Sequence, residues 1–189
     1  MRIISGICRG RKLAQIQGYD IRPTSDRARE AIFNILGPGI RDSRVLDLFA
    51  GTGALGLEAL SRGAKHVVFI DSAHNSCTTI QKNIALCKMT EKASMIHHDI
   101  IGQPLPEVLV TEPFDFIFLD PPYSKGYAEK TLDKEFFTDI LAPKGIIIVE
   151  QSHGESLANE FSGLDIYRQK KYSKTLISFL KKTGNDKGC

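Results

Sequence analysis

A chain of 189 residues, 42% of them hydrophobic, has the size and composition of one globular domain with its own core, which excludes a wholly disordered protein. No apolar run reaches the length of a membrane span, and no basic-then-apolar leader opens the sequence, so a cytoplasmic protein is expected. A net charge of +3 is too small for a general polyanion binder, so any nucleic-acid contact must come from where the charges lie.

In chain order, residues 2–16 read as a short hairpin, with Gly6, Gly10 and alternating apolar and basic positions. This opening region is basic: Arg2, Arg9, Arg11, Lys12, Arg22, Arg27 and Arg29 stand against Asp20 and Asp26. Thr24-Ser25-Asp26 supplies cap residues for a helix whose apolar face is Ala28, Ile32, Ile35 and Leu36, and Gly37-Pro38-Gly39 ends it. A strand–helix rhythm follows. Val45–Leu48, Val67–Ile70, Ser94–His97, Phe116–Leu119 and Ile146–Val149 are predicted strands, most of them unbroken apolar runs suited to a parallel sheet covered on both faces. Helices at about 54–62, 73–87 and 127–141 fit between them. Strands near 165–171 and 175–180 are joined by a link too short for a crossover, so they are expected to be antiparallel. A second basic group, Arg168, Lys170, Lys171, Lys174, Lys181 and Lys182, falls there. Two basic regions are compatible with a nucleic-acid track, and equally with solvated surface. Residues 183–189 read as a disordered tail. The expectation is one α/β doubly wound domain over residues 1–182, mostly parallel with an antiparallel C-terminal edge, preceded within it by an extension at 1–36.

Cysteine and histidine carry little chemistry here. Cys77 and Cys87 share an apolar helix face with Ala73, Ile80 and Ile84, so they read as reduced core residues. Cys8 and Cys189 lack metal-type spacing with them. His97-His98-Asp99 is not expected to hold a metal, because adjacent strand residues face opposite ways.

The segment Val45–Gly56 is more informative. It follows a strand, opens a helix and contains G-x-G-x-x-G at Gly51, Gly53 and Gly56, while Asp71 ends the next strand. Glycines allow close backbone approach, and the acid suits ribose hydroxyls. A ribose-bearing cofactor is therefore expected. A second acid, Asp99, follows the third strand. After the fourth strand come Asp120-Pro121-Pro122-Tyr123. The prolines stiffen the turn and leave its carbonyls free to accept, Asp120 adds an acceptor, and Tyr123 offers a ring for stacking. That set suits the amino group of a flat heterocycle, although Asp-Pro is also common turn punctuation.

In this order, the glycine loop, the two spaced acids and Asp120-Pro121-Pro122-Tyr123 resemble class I S-adenosylmethionine-dependent methyltransferases acting on exocyclic amines. The opening Arg2–Gly6 with Arg9-Gly10-Arg11, then Arg22-Pro23-Thr24 with Asp26–Ala31 and Phe33-Asn34, is similar to the bacterial 16S rRNA guanine-N2 methyltransferases of the guanine 966 type. The resemblance runs from Met1 to about Lys182 and implies a Rossmann-like seven-stranded sheet. It implies that Phe49, Gly51 and Gly53 border the methionine part of the cofactor, Asp71 the ribose, and Asp99 with Ile100 the adenine, Asp47 supporting the loop. Asp120 and the Pro121 carbonyl would each accept one N–H of the amine, with Asp120 or water taking the proton. The substrate would be 16S rRNA or an assembling small subunit, met by Arg2, Arg9, Arg11, Lys12, Arg22, Arg27 and Arg29, and the protein a monomer.

Other readings stay open at this stage. Asp-Pro-Pro-Tyr serves any exocyclic amine, so a DNA adenine-N6 or cytosine-N4 methyltransferase is the first alternative, although no stretch here is long enough for a target-recognition domain. A nicotinamide dehydrogenase would explain the glycines but not Asp120–Tyr123. A non-catalytic RNA-binding module could use the same scaffold.

Overall fold

Alternate residues of a strand point to opposite faces, so the runs Val45–Leu48 and Phe116–Leu119 can be buried throughout only if both faces of their sheet are covered. The computed structural model describes residues 1–16, 26–122, 125–134, 136–154, 157, 160–161, 163–172 and 175–184. Its elements are α1 (Asp26–Leu36), β1 (Arg44–Leu48), α2 (Ala54–Ser61), β2 (His66–Asp71), α3 (His74–Leu86), β3 (Ala93–His97), β4 (Phe114–Leu119), α4 (Tyr127–Leu132), α5 (Phe136–Ile140), β5 (Leu141–Ser152), β6 (Glu160–Phe161), β7 (Leu164–Tyr172) and β8 (Thr175–Lys182).

The strand order is β3-β2-β1-β4-β5-β8-β7-β6. Pairings from β3 through β5 are parallel, and those among β5, β8, β7 and β6 are antiparallel. Seven of these strands match the expected sheet. The eighth, β6, is a two-residue rung at the edge, too short to carry a periodic signal. One core, with Val45, Val67, Phe69, Phe118 and Phe179, lies under α1, α2 and α3. The other, with Leu46, Leu48, Ile117, Leu119 and Leu180, lies under α4 and α5.

One expectation needs correction. The helix predicted over 127–141 is two short helices, and its last residue, Leu141, pairs instead with Phe114 as the first rung of β5. The N-terminal segment is a short hairpin: an antiparallel bridge pairs Arg2 with Lys12, and Ile3 N donates to Arg11 O (3.0 Å), Gly10 N to Ile3 O (2.9 Å) and Leu13 N to Met1 O (3.2 Å). Thr24 and Ser25 of the proposed helix cap lie outside the described residues, as do 185–189 of the proposed tail.

What ties that hairpin to the domain is side-chain chemistry. Glu58 of α2 is fully buried, and its carboxylate accepts from Ile4 N (2.7 Å), Ser5 N (3.0 Å) and Arg62 Nε (2.8 Å). Arg29 of α1, also fully buried, lies 4.0 Å from Glu58 and donates to Arg2 O (2.6 Å) and Asp26 Oδ1 (2.9 Å). Burial pulls the Arg29 guanidinium below the usual arginine range, while Glu58, Asp26 and Glu150 act in the opposite sense. Phe33 of α1 packs on Phe118 of β4 with ring centroids 5.6 Å apart, which joins the extension to the main core. Glu58→Ala should cost about 3–5 kcal/mol, because it removes the acceptor of Arg62 Nε and of two backbone donors and takes a compensating charge from beside buried Arg29. Urea denaturation checks this, and a loss under about 1 kcal/mol, the level of a surface pair, would contradict it.

Candidate active site

Register places the chemistry. Leu48 is level with Ile70 of β2 and with Leu119 of β4. The next residues out, Phe49, Asp71 and Asp120, therefore emerge side by side at the carboxyl edge of three adjacent strands. β1 and β4 are neighbours whose following strands lie in opposite directions along the sheet, and open α/β folds form their ligand crevice at such a point.

The loop from Phe49 to Gly53 is held almost entirely by its own surroundings. Ala50 N donates to Ile70 O (3.0 Å), Gly51 N to Asp71 Oδ2 (2.8 Å) and Gly53 N to Ala50 O (2.7 Å). Gly53 caps α2 at φ +77°, a left-handed conformation that L side chains rarely adopt. Gly56 lets α2 lie against β2, since a Cβ there would sit 2.3 Å from the Phe69 ring. Phe49 takes φ +56°, uncommon for an aromatic residue. Its ring stacks on Tyr127 at 6.2 Å and 14°, with Lys125 5.6 Å and Lys130 5.9 Å from the Tyr127 centroid. Tyr127 was not among the sequence candidates. Its place one turn beyond a Pro-Pro motif is the only signal that could have pointed to it.

Beneath the loop, Asp47 accepts from Gly56 N at 2.9 Å and is 1% exposed. Burial raises its pKa well above the usual carboxylate range; the Gly56 hydrogen bond opposes this, and the nearby charges of Asp120 and Asp71 add to it. Strand register places Asp120 one residue beyond Leu119, level with Phe49 at the start of the glycine loop. Asp120 is half-buried, Pro121 buried and Pro122 exposed, while Tyr123 lies outside the described residues.

Asp71 accepts from Gly51 N and, through Oδ1, from Ala73 N at 2.9 Å. Each carboxylate oxygen keeps a further lone pair, which fits a ribose hydroxyl. Exposed Asp99 spends Oδ1 on Ile101 N (3.0 Å). Its remaining acceptor capacity fits an adenine amino group. Ile100 is 2% exposed within the core, with its carbonyl taken by Lys134 Nζ at 2.6 Å. Its side chain is therefore a packing element. Among the described residues no group of three or more His, Cys, Asp and Glu is arranged to hold a metal ion, and the His97 ring is paired with Ser72 O at 2.9 Å.

Arg2, Arg9, Arg11, Lys12 and Arg27 are exposed on the extension. Met1 touches the cofactor loop, where Thr52 Oγ1 donates to its Sδ at 3.6 Å. Arg22 lies outside the described residues. Arg29 is a correction to the predicted RNA-contact set, because its guanidinium is 0% exposed and engaged with Arg2 O, Asp26 and Glu58. The second basic region is separate: Arg168, Lys170 and Lys171 are exposed on β7, four strand spacings from β1 and so about 19 Å away across the sheet.

Glycine loop, spaced acids and Asp-Pro-Pro at the edge of this sheet define a class I S-adenosylmethionine-dependent methyltransferase. Residues 1–181 match the family described as conserved hypothetical protein 95, and the chain belongs to that family. Ribosomal RNA small subunit methyltransferase D of Haemophilus influenzae is 38% identical over 161 residues, covering 83% of this chain and 81% of that protein. The protein of the same name from Escherichia coli K12 is 35% identical over 170 residues, 90% of this chain and 84% of its own length. The solved structure of the Thermus thermophilus 16S rRNA N2 G1207 methyltransferase RsmC, in complex with AdoMet and guanosine, is 26% identical with a TM-score of 0.67, covering 89% of this chain and 49% of that one.

Asp47 holds its proton more tightly in the folded protein than in the unfolded chain. Its contribution to stability is therefore full below about pH 3.9, the ordinary aspartate value, and is lost as pH rises through the raised folded value. Asp47→Asn keeps an acceptor for Gly56 N and cannot ionise. It should flatten the decline in urea midpoint as pH rises above the ordinary aspartate range, and a wild-type slope in this variant would locate the proton elsewhere.

Proposed function

We propose that this chain transfers a methyl group from S-adenosylmethionine to the exocyclic N2 of a guanine in small-subunit ribosomal RNA. The observation that carries the reading is Asp120, level with Phe49 and Asp71 at the carboxyl edge of three adjacent strands, beside the glycine loop. The names of the Haemophilus influenzae and Escherichia coli relatives support ribosomal RNA as the substrate, and the Thermus thermophilus neighbour supports guanine N2.

When bound, the cofactor supplies an electrophilic methyl on a sulfonium. The rest falls to the chain. Guanine N2 is a poor nucleophile because its lone pair is delocalised into the ring. Asp120 and the Pro121 carbonyl each accept one of its N–H bonds, which turns the lone pair out of the ring plane and toward the methyl. The Asp120 carboxylate and the Pro121 carbonyl dipole stabilise the positive charge that develops on nitrogen, and Asp120 or water takes the proton that the nitrogen gives up. Orientation contributes roughly 7–11 kcal/mol when the reacting atoms are held in line. Tyr123 stacks on the base, which must leave its own stack to arrive there. Asp71 and Asp99 hold the ribose and adenine, and Gly51 and Gly53 border the methionine part.

The exposed cations of the extension, Arg2, Arg9, Arg11, Lys12 and Arg27, meet the RNA. A groove of about 380 Å³ runs between the loop and α1, lined by Arg2, Ile3, Arg9, Asp26, Arg27 and Glu30 among others. Arginines there can pair with phosphates and stack on unpaired bases. A cytoplasmic monomer acting on free 16S rRNA or an assembling subunit completes the reading.

Methyl transfer from labelled cofactor to unmodified rRNA and to small-subunit particles, followed by nucleoside analysis, should yield N2-methylguanosine; methylated adenine or cytosine in DNA would replace this reading. Asp120→Ala should lower kcat by roughly 10²–10³-fold with S-adenosylhomocysteine affinity retained, and an active variant removes the mechanism. Tyr123→Phe should be mild and Tyr123→Ala severe; equal losses would argue against stacking. Arg9→Ala with Arg11→Ala should weaken rRNA binding and reduce its salt slope by about 0.7 per lost phosphate contact, while cofactor affinity holds.

A further inference from the structure

Asn83 is a polar residue in the middle of an apolar helix face. It lies on α3 between the core residues Ile80 and Ile84 and is 0% exposed. A leucine there would gain burial and helix propensity, so the amide needs partners to be tolerated. It has them. Oδ1 accepts from Ala14 N at 2.7 Å, and Nδ2 donates to Ala14 O at 3.1 Å and to Thr52 O at 2.9 Å. The amide orientation is fixed by this set, since the reverse would face oxygen with oxygen at both carbonyls.

The two partners belong to different functional regions. Thr52 stands between Gly51 and Gly53 in the cofactor loop. Ala14 lies on the outgoing arm of the N-terminal basic loop. A second contact joins the same regions, Thr52 Oγ1 to Met1 Sδ. The other ties of the basic loop run to helices rather than to the glycines: Cys8 N to Ser61 Oγ (3.0 Å), Ile7 N to Ser61 O (2.8 Å) and Cys8 Sγ to Cys87 O (3.5 Å).

We propose that Asn83 is a positioning residue that couples the two sites: cofactor seated on the Gly51–Gly53 loop fixes the Thr52 carbonyl, and Asn83 passes that position to Ala14, ordering the arm that meets RNA. The RNA half of this inference rests on the reading that the N-terminal loop contacts the substrate. Coupling of this kind is reciprocal, so bound RNA tightens the cofactor by the same factor.

The test measures the affinity of an unmodified small-subunit rRNA fragment with and without saturating S-adenosylhomocysteine. In the wild type the cofactor product should tighten RNA binding about tenfold, within the usual range of such couplings. Asn83→Ala should still bind each ligand singly, with the factor reduced to about one. A wild-type factor of one, or an undiminished factor in Asn83→Ala, overturns the proposal. A second arm uses only the wild type and no RNA, and so decides the matter even if the variant does not fold. S-adenosylhomocysteine should slow hydrogen exchange at the Ala14 amide, and unchanged exchange there overturns the link. If Arg9→Ala with Arg11→Ala binds RNA normally while Ala14 still responds, the RNA contact is what has been misplaced and the Asn83 link stands.

Discussion

Parallel pairing of β1 with β2 on one side and β4 on the other brings three strand ends to the same height. Each strand is apolar on both faces, so its burial tolerates little change, and a slip of one residue would turn every side chain to the opposite layer. The same slip would carry Asp71 or Asp120 out of line with the glycine loop. Core packing and site geometry are thus one constraint. Loop conformation is secured afterwards, by backbone donors that find Asp47 and Asp71, and by glycines where the chain turns left-handed or α2 presses on the Phe69 ring.

The N-terminal extension depends on that scaffold in a different way. Its own ladder is short, and it is held to the domain by buried polar groups on α2 and α3, namely Glu58, Ser61 and Asn83. Those helices begin immediately after the strand ends that carry the glycine loop and Asp71. The segment proposed to face RNA is therefore built on the elements that shape the cofactor cleft, with Arg62 paired to the carboxylate at its centre and Arg29 close by.

Much of this was legible in the chain. Unbroken apolar runs identified the parallel strands, the short polar link before Thr175 identified the antiparallel pair, and the residues singled out at the strand ends include Phe49, Asp71 and Asp120, which stand level at one edge. Three features were not. Arg29 looked like its neighbours Arg2 and Arg27, because an arginine's letter does not say whether an acid distant in sequence, here Glu58, awaits it in the core. Asn83 sits within the apolar spacing of its helix, where a polar residue is itself the signal, but its partners at Ala14 and Thr52 are distant in sequence. Helix pattern over 127–141 was overridden at Leu141 by pairing with β4, a tertiary contact that propensity does not contain.

The charge on β7 has a consequence apart from any ligand. Among the described residues, β6 covers only Leu164 and Asp165 of this strand, so from Ile166 onward its outer rim presents backbone groups without a neighbouring strand. Such a rim would recruit a like strand from another molecule if it were apolar. Arg168, Lys170 and Lys171 stand along it instead, and bringing two copies together there would oppose cation to cation. That repulsion protects the sheet from growing by accretion.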